Sequence, residues 1–187
     1  MKRTRFGNPP STMLGLTLIE LITTLAVVAI ILAISLPAYS TLGAQNRMNS
    51  VANLIVSQLA VARSEAINNH RATVLCPSHD AHTCSGGYNW DVGFILYHDA
   101  NRNRHKEASE RVLRYFNPEK PGISVTTTHG RPRLLYHPDG SARGYNATIT
   151  LCHSNGDIAP RTVILSNSGR VRVSDTTPSG AAPSCPS

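Results

Sequence analysis

LTLIELITTLAVVAIILAISL, residues 16–36, carries a single charge, Glu20, and the next charged residue is Arg47. Wound as a helix at about 1.5 Å per residue, the stretch is about 31 Å long, the thickness of a bilayer core. Pro37 follows it and Gly15 precedes it. Upstream lie the basic MKRTRF (1–6) and the helix-breaking GNPPS (7–11). A secretory signal has a shorter apolar core and a small-residue cleavage site after it. Here the small residue, Gly15, stands before the apolar run, so cleavage there leaves the helix on the mature chain. Lys2, Arg3 and Arg5 hold the leader in the cytoplasm and send the remainder across the membrane. Glu20 is the anomaly. A carboxylate at the centre of a lipid-embedded helix costs about 2.5–3.5 kcal/mol on insertion scales, and less near an end, so its retention implies a partner.

Downstream of Pro37 the chain stays helical and becomes amphipathic. Val51, Leu54, Ile55, Gln58, Leu59, Ala62 and Ile67 recur near i, i+3, i+4, i+7 spacing, with Asn46, Arg47, Asn49, Asn53 and Arg63 between them. NNHRA (68–72) is the exit, so the spacing predicts a helix from about 16 to about 69 whose second half packs on a sheet. Strand signals follow: ATVLC (72–76), NWDVGFILYHD (89–99), RVLRYF (111–116), ISVTTT (123–128), RLLYHPDGSA (133–142), ATITLC (147–152) and RTVILSNSGRVRV (161–173). HPDG and SNSG are turn chemistry. The pattern predicts an α+β chain, one long N-terminal helix packed on a β-rich domain.

At 187 residues and 41% hydrophobic content the chain has enough apolar material for one core. Eighteen Lys and Arg against eleven Asp and Glu give +7. Without the three leader cations the balance is 15 − 11 = +4, which permits an anionic partner without demanding one. No G-x-S-x-G, H-E-x-x-H or P-loop is present, and the eight histidines form no nucleophile–base pair, so no catalytic role and no cofactor is expected.

Gly15, the LTLIEL that follows, the span, Pro37 and the amphipathic continuation together resemble the type IV pilin and pseudopilin family. The resemblance implies a prepilin peptidase that cuts between Gly15 and Leu16 and a methylated Leu16 amino group. Leu16 stands where the family usually has phenylalanine. Glu20 matches the fifth mature residue, which implies a pairing with the Leu16 amino group of a neighbouring subunit in the packed filament. Further pieces, WDVGF (90–94), DANRN (99–103), ERVLR (110–114), HPDG (137–140) and GRVRV (169–173), resemble the GspH/FimT group of minor pilins and pseudopilins. The implied organisation is a leader (1–15), a transmembrane and filament-core helix (16–36), its amphipathic continuation (37–71) and a periplasmic β-rich antiparallel domain (72–187). The implied location is the inner membrane, single-pass with a cytoplasmic N-terminus, and then the pilus or pseudopilus with other pilins as partners.

Within that group some members bind DNA through a C-terminal G-R-x-R motif, which implies a minor pilin of a type IV pilus that binds double-stranded DNA without sequence preference during natural transformation. Two alternatives stand beside it: a structural pseudopilin of a type II secretion system, and a minor pilin that primes pilus assembly. The residues support the first reading independently. On a strand Arg170 and Arg172 share one face and Val171 and Val173 the other, so the valines enter the core and two guanidinium groups stand about 6.6–6.8 Å apart. Gly169 permits the turn. Paired exposed arginines suit phosphate contact, which is electrostatic and blind to sequence, though a solvated strand face looks the same. G-R-P-R at 130–133 repeats the motif, but Pro132 disfavours a central strand there. Arg131, Arg133, Arg143 and Arg161 add further positive charge.

Cys76, Cys84, Cys152 and Cys185 allow three disulfide pairings, and proximity favours Cys76–Cys84, leaving Cys152–Cys185 to tie the tail to a strand. CPSHDAHTC (76–84) also gathers His79 and His82, but its spacing fits no standard zinc site. DANRNRHKEASE (99–110) places Asp99, Asn101, Asn103, His105, Glu107 and Glu110 at positions 1, 3, 5, 7, 9 and 12 of a calcium loop. Arg104 occupies the sixth position, where glycine is expected, and Arg102 and Lys106 add positive charge, so no metal site is assigned.

Overall fold

A computed structural model of the chain describes Gly15, residues 17–117 and residues 122–185, without the side chains of residues 34–40. The leader and Leu16 lie outside the described residues. Helix α1 (Leu18–Asn69) matches the expected long helix. The chain divides into two compact units, with the boundary between Ser40 and Thr41.

In the first unit Thr17 caps α1. Its Oγ1 accepts from the Glu20 amide at 3.3 Å and its carbonyl from the Leu21 amide at 3.1 Å. Thr17 and Glu20 thus have the T-x-x-E spacing of a capping box, and Glu20 lies in the first turn, where the helix dipole favours a carboxylate. Among the described residues no helix is long and apolar enough to cross a membrane. Of the expected span, 16–36, only residues 18–33 are helical with described side chains.

In the second unit α1 buries Ala44, Met48, Val51, Ala52, Ile55, Leu59, Ala62 and Ala66. That stripe follows steps of three and four, as the periodicity predicted, but it uses alanines where Ile67 was expected. Ile67 is exposed. Small side chains let strands approach closely: Thr73 Oγ1 donates to the Ala62 carbonyl at 2.8 Å.

Among the described residues eight strands form two antiparallel sheets. The first has the order β3 (Val112–Phe116), β2 (Phe94–Asp99), β1 (Ala72–Pro77), β5 (Leu134–Tyr136). The second has the order β4 (Ile123–Thr127), β6 (Ala147–His153), β7 (Arg161–Leu165), β8 (Val171–Ser174). The main core lies among α1 and both sheets, with Leu75, Phe94, Leu96, Leu134, Tyr136, Ile149, Leu151, Val163 and Leu165 at its centre. β1 is buried along its whole length because Val74, Cys76, Ile95, Tyr97 and Leu135 form a second cluster on the other face of the first sheet. Residues 88–90 join the sheets. The Trp90 amide donates to Val125 at 2.8 Å, the Thr127 amide to Tyr88 at 2.9 Å, and the Trp90 ring is buried 5.4 Å from Phe94.

Candidate nucleic-acid interface

The two G-R-x-R segments owe their positions to turns. β7 and β8 are joined by Ser166–Gly169, in which the Gly169 amide donates to the Ser166 carbonyl and the Ser166 amide to the Arg170 carbonyl, both at 2.9 Å. Gly169 has φ 78°, a conformation that glycine adopts without steric cost. The turn docks on the HPDG turn after β5. A Cβ at Gly169 would collide with the Gly140 carbonyl oxygen. The Asn167 carbonyl accepts from the Ala142 amide at 3.0 Å, and its side-chain oxygen from the Gly144 amide at 3.2 Å. Arg63 of α1 donates to the Gly169 and Ser168 carbonyls, and Tyr136 Oη to the Gly169 carbonyl, each at 3.4 Å. Burial pushes the Tyr136 phenol above its ordinary pKa, so it remains a donor at any physiological pH.

Arg170 and Arg172 are both exposed, Arg170 just ahead of β8 and Arg172 within it. Val171 packs against the core. Val173 does not: it is 37% exposed. It pairs with the buried Val163, but β8 is the edge of its sheet, and one valine anchors the strand rather than two. Arg172 pairs with Ile164, so its side chain shares the sheet's other face with Ile164.

On that face the two motifs meet. Arg131 and Arg172 line one open groove of about 710 Å³, together with His129, Ile164 and Pro178. Arg131 and Arg133 line the adjoining groove of about 600 Å³ with Arg104, His105 and Tyr145. A third hollow, which shares Ile164, Ser166 and Arg172 with the first groove, includes Arg170. G-R-P-R is loop, as Pro132 predicted. Arg131 Nε donates to the Asn146 carbonyl at 3.1 Å, and Arg133 lies 3.4 Å from His105 Nδ1. Arg104 extends the row and donates to Tyr145 Oη at 3.1 Å. Its part was not evident from sequence, where it appeared only as an interruption of a calcium pattern.

Two expected contributors stand apart. Arg143 is paired with Asp139 at 2.8 Å. Asp139 also accepts from the Ser141 hydroxyl and amide, contacts that hold its carboxyl below the usual range. Arg161 begins β7, at the end away from the Ser166–Gly169 turn, and faces Asp175 at 3.5 Å.

The structure joins Cys76 to Cys84 (Cα–Cα 5.6 Å) and Cys152 to Cys185 (5.8 Å). The first bridge takes the thiols that a zinc site would need. Its loop is organised by Asp80, whose carboxylate accepts from the Thr83 hydroxyl and amide, the His82 amide and the Ser78 hydroxyl. Those bonds hold Asp80 far below the usual carboxylate range. Among the described residues no three His, Cys, Asp or Glu side chains converge on a metal-sized space.

Residues 51–169, well over half the chain, match the family described as type II transport protein GspH. The chain belongs to that family. It is a minor pilin or pseudopilin of the type IV pilin-like class. The pilin-like protein PilA1 of Thermus thermophilus is 30% identical over 173 residues, covering 85% of this chain and 97% of PilA1. The type IV minor pilin FimU of Pseudomonas aeruginosa shares the fold, with a TM-score of 0.55 at 21% identity over 74% of this chain and 94% of FimU. A second crystal form of FimU gives a TM-score of 0.51, over 72% of this chain and 96% of that one. The family match contains G-R-P-R and stops at Gly169, so Arg170 and Arg172 lie immediately beyond it.

Proposed function

We propose that this protein is a minor pilin of a type IV pilus that binds double-stranded DNA without sequence preference during natural transformation. The observation that carries the reading is the shared groove of Arg131 and Arg172, one from each G-R-x-R segment, with Arg133 and Arg170 flanking it. Four guanidinium groups along an open surface suit a phosphate backbone, and phosphate contact alone carries no base preference. The chain reaches that role as a prepilin. Prepilin peptidase cuts after Gly15, Leu16 is methylated, and residues 16–36 hold the protein in the inner membrane with residues 72–187 in the periplasm, where the disulfides form. Glu20 then pairs with the Leu16 amino group of a neighbouring pilin as the helix enters the filament. The protein is non-catalytic in this reading.

The family description supports a second reading, a structural pseudopilin of a type II secretion system without a DNA role. A mobility-shift titration of the Thr41–Ser187 unit against duplexes of unrelated sequence separates the two. Salt-sensitive binding that is mostly lost, and whose remainder depends less steeply on salt, on replacing Arg170 and Arg172 with alanine supports the DNA reading. Absence of a shift at any salt concentration leaves the pseudopilin, or a minor pilin that only primes assembly.

A further inference from the structure

The loop between β2 and β3 contains a buried carboxylate that its surroundings do not satisfy. Asp99 is 1% exposed, its Oδ2 accepts from the Arg104 amide at 2.9 Å, and its Oδ1 has no hydrogen-bond partner. A buried ionised oxygen without a donor costs several kcal/mol unless a cation or water meets it. Because Oδ2 is bonded to an amide of the loop itself, the carboxylate faces the loop interior.

The rest of the loop is oxygen-rich and wound tightly. The Asn101 side-chain oxygen accepts from the Asn103 amide at 3.1 Å, and that of Asn103 from the His105 amide at 2.8 Å. Amide oxygens have two lone pairs, so each keeps one free. Glu110, also buried, accepts from the Ala100 amide at 2.9 Å and the Glu107 amide at 3.1 Å, which draws the twelfth position back to the start of the loop. At the sixth position Arg104 has φ 65°, the left-handed conformation for which a calcium loop ordinarily uses glycine. The residue type that weakened the pattern in the sequence therefore adopts the backbone the pattern requires, and its guanidinium leaves the loop for Tyr145. That three acidic side chains do not converge is consistent with such a site, which takes much of its coordination from amides and a backbone carbonyl.

We propose that the Asp99–Glu110 loop binds one calcium ion through the side-chain oxygens of Asp99, Asn101, Asn103 and Glu110 and the carbonyl oxygen of His105. Three carboxylates in the loop, Asp99, Glu107 and Glu110, are balanced by Arg102, Arg104 and Lys106. Charge count sets affinity in such loops, so the site belongs to the weak extracellular class, with a dissociation constant of about 10⁻⁴–10⁻³ M. Magnesium demands near-ideal octahedral geometry at shorter distances and dehydrates reluctantly, so calcium is the ion this ligand set favours.

The test uses the full chain in detergent micelles, with calcium chloride, magnesium chloride and sodium chloride at matched ionic strength. The expected result is a thermal midpoint that rises with calcium alone and saturates in the low millimolar range. Terbium, excited through Tyr97, whose hydroxyl donates to the Arg104 carbonyl at 3.2 Å, should luminesce on binding and be displaced by calcium. Asn101 is exposed, so Asn101→Ala should fold normally and bind at least about tenfold more weakly; Arg104→Gly, which removes a like charge and relieves the backbone, should bind several-fold more tightly. No calcium-specific shift in the wild-type chain would overturn the proposal, and so would equal titrations of wild type and Asn101→Ala. An Arg104→Gly chain that binds no more tightly would refute the assignment of the sixth position.

Discussion

Salt dependence gives the sharpest test of the arginine groove, because its magnitude follows from counting. Four guanidinium groups, those of Arg131, Arg133, Arg170 and Arg172, lie along the two adjoining grooves and the hollow beside Arg172. If each neutralises one phosphate, log K falls against log salt with a slope of about −0.9 × 4, or about −3.6. Raising salt fourfold, from 50 to 200 mM, then weakens binding about 150-fold. Replacing Arg170 and Arg172 with alanine leaves two contacts, a slope of about −1.8 and only about a 12-fold loss over the same range. Absolute affinity for the wild-type unit should be about micromolar at physiological salt. Fluorescence anisotropy with a labelled duplex at four or more salt concentrations measures both slopes. The double substitution should leave the melting midpoint nearly unchanged, since both side chains are exposed and Val171 still anchors the strand. A variant whose slope stays near the wild-type value, with its midpoint intact, would show that these arginines do not contact phosphate.

Other consequences follow from the same contacts. Gly169→Ala introduces a Cβ into the Gly140 carbonyl at φ 78°, so the unit should lose about 2–4 kcal/mol in a denaturant titration, and its DNA affinity should fall with it. Replacing Cys152 and Cys185 with alanine releases a bridge of sequence separation 33, worth about 3.8 kcal/mol of loop entropy, against about 2.6 kcal/mol for the Cys76–Cys84 bridge at separation 8; chemical denaturation of the two double variants should rank them in that order. Arg143→Ala should leave DNA affinity almost unchanged, because that guanidinium is engaged by Asp139, whereas Asp139→Asn frees it and should tighten binding measurably in the same anisotropy assay.

Most of the architecture was legible because it rests on local signals. The step of three and four along α1, the apolar runs of β1, β2 and β6, and the HPDG and SNSG turns each specify their element without reference to the rest of the chain. Alanine blurred one boundary. Ala44, Ala52 and Ala66 are buried, yet alanine marks a face weakly, and the exposed Ile67 was assigned to the core instead. Val173 was misplaced for a related reason. Alternation predicts which face a side chain takes, but not whether the core extends as far as an edge strand. Convergence was not legible at all. Arg131 and Arg172 line one groove although β4 and β8 are opposite edges of their sheet, because the loop after β4 is tied through Arg131 to the Asn146 carbonyl ahead of β6, and Arg63 reaches the Ser166–Gly169 turn across 105 residues of sequence.

Arg172 also admits a purely structural explanation. β8 is an edge strand, and charged residues on edge strands prevent one sheet from pairing with another. Lone arginines placed for that purpose need no particular neighbours and no particular sign. Here the neighbours are specific. The turn that precedes Arg170 is held by Arg63, Tyr136, Asn167 and the contact between Gly140 and Gly169, far more restraint than a solubilising charge requires. The same restraint brings Arg172 to the groove of Arg131, although like charges repel across it. Substituting glutamate for both Arg170 and Arg172 divides the explanations. Edge protection survives a change of sign, so the unit should remain monomeric by light scattering. Phosphate binding does not survive it, because two attractions become two repulsions. A glutamate variant that stays monomeric and no longer shifts DNA assigns the pair to binding; one that still binds with wild-type salt dependence leaves edge protection as their role.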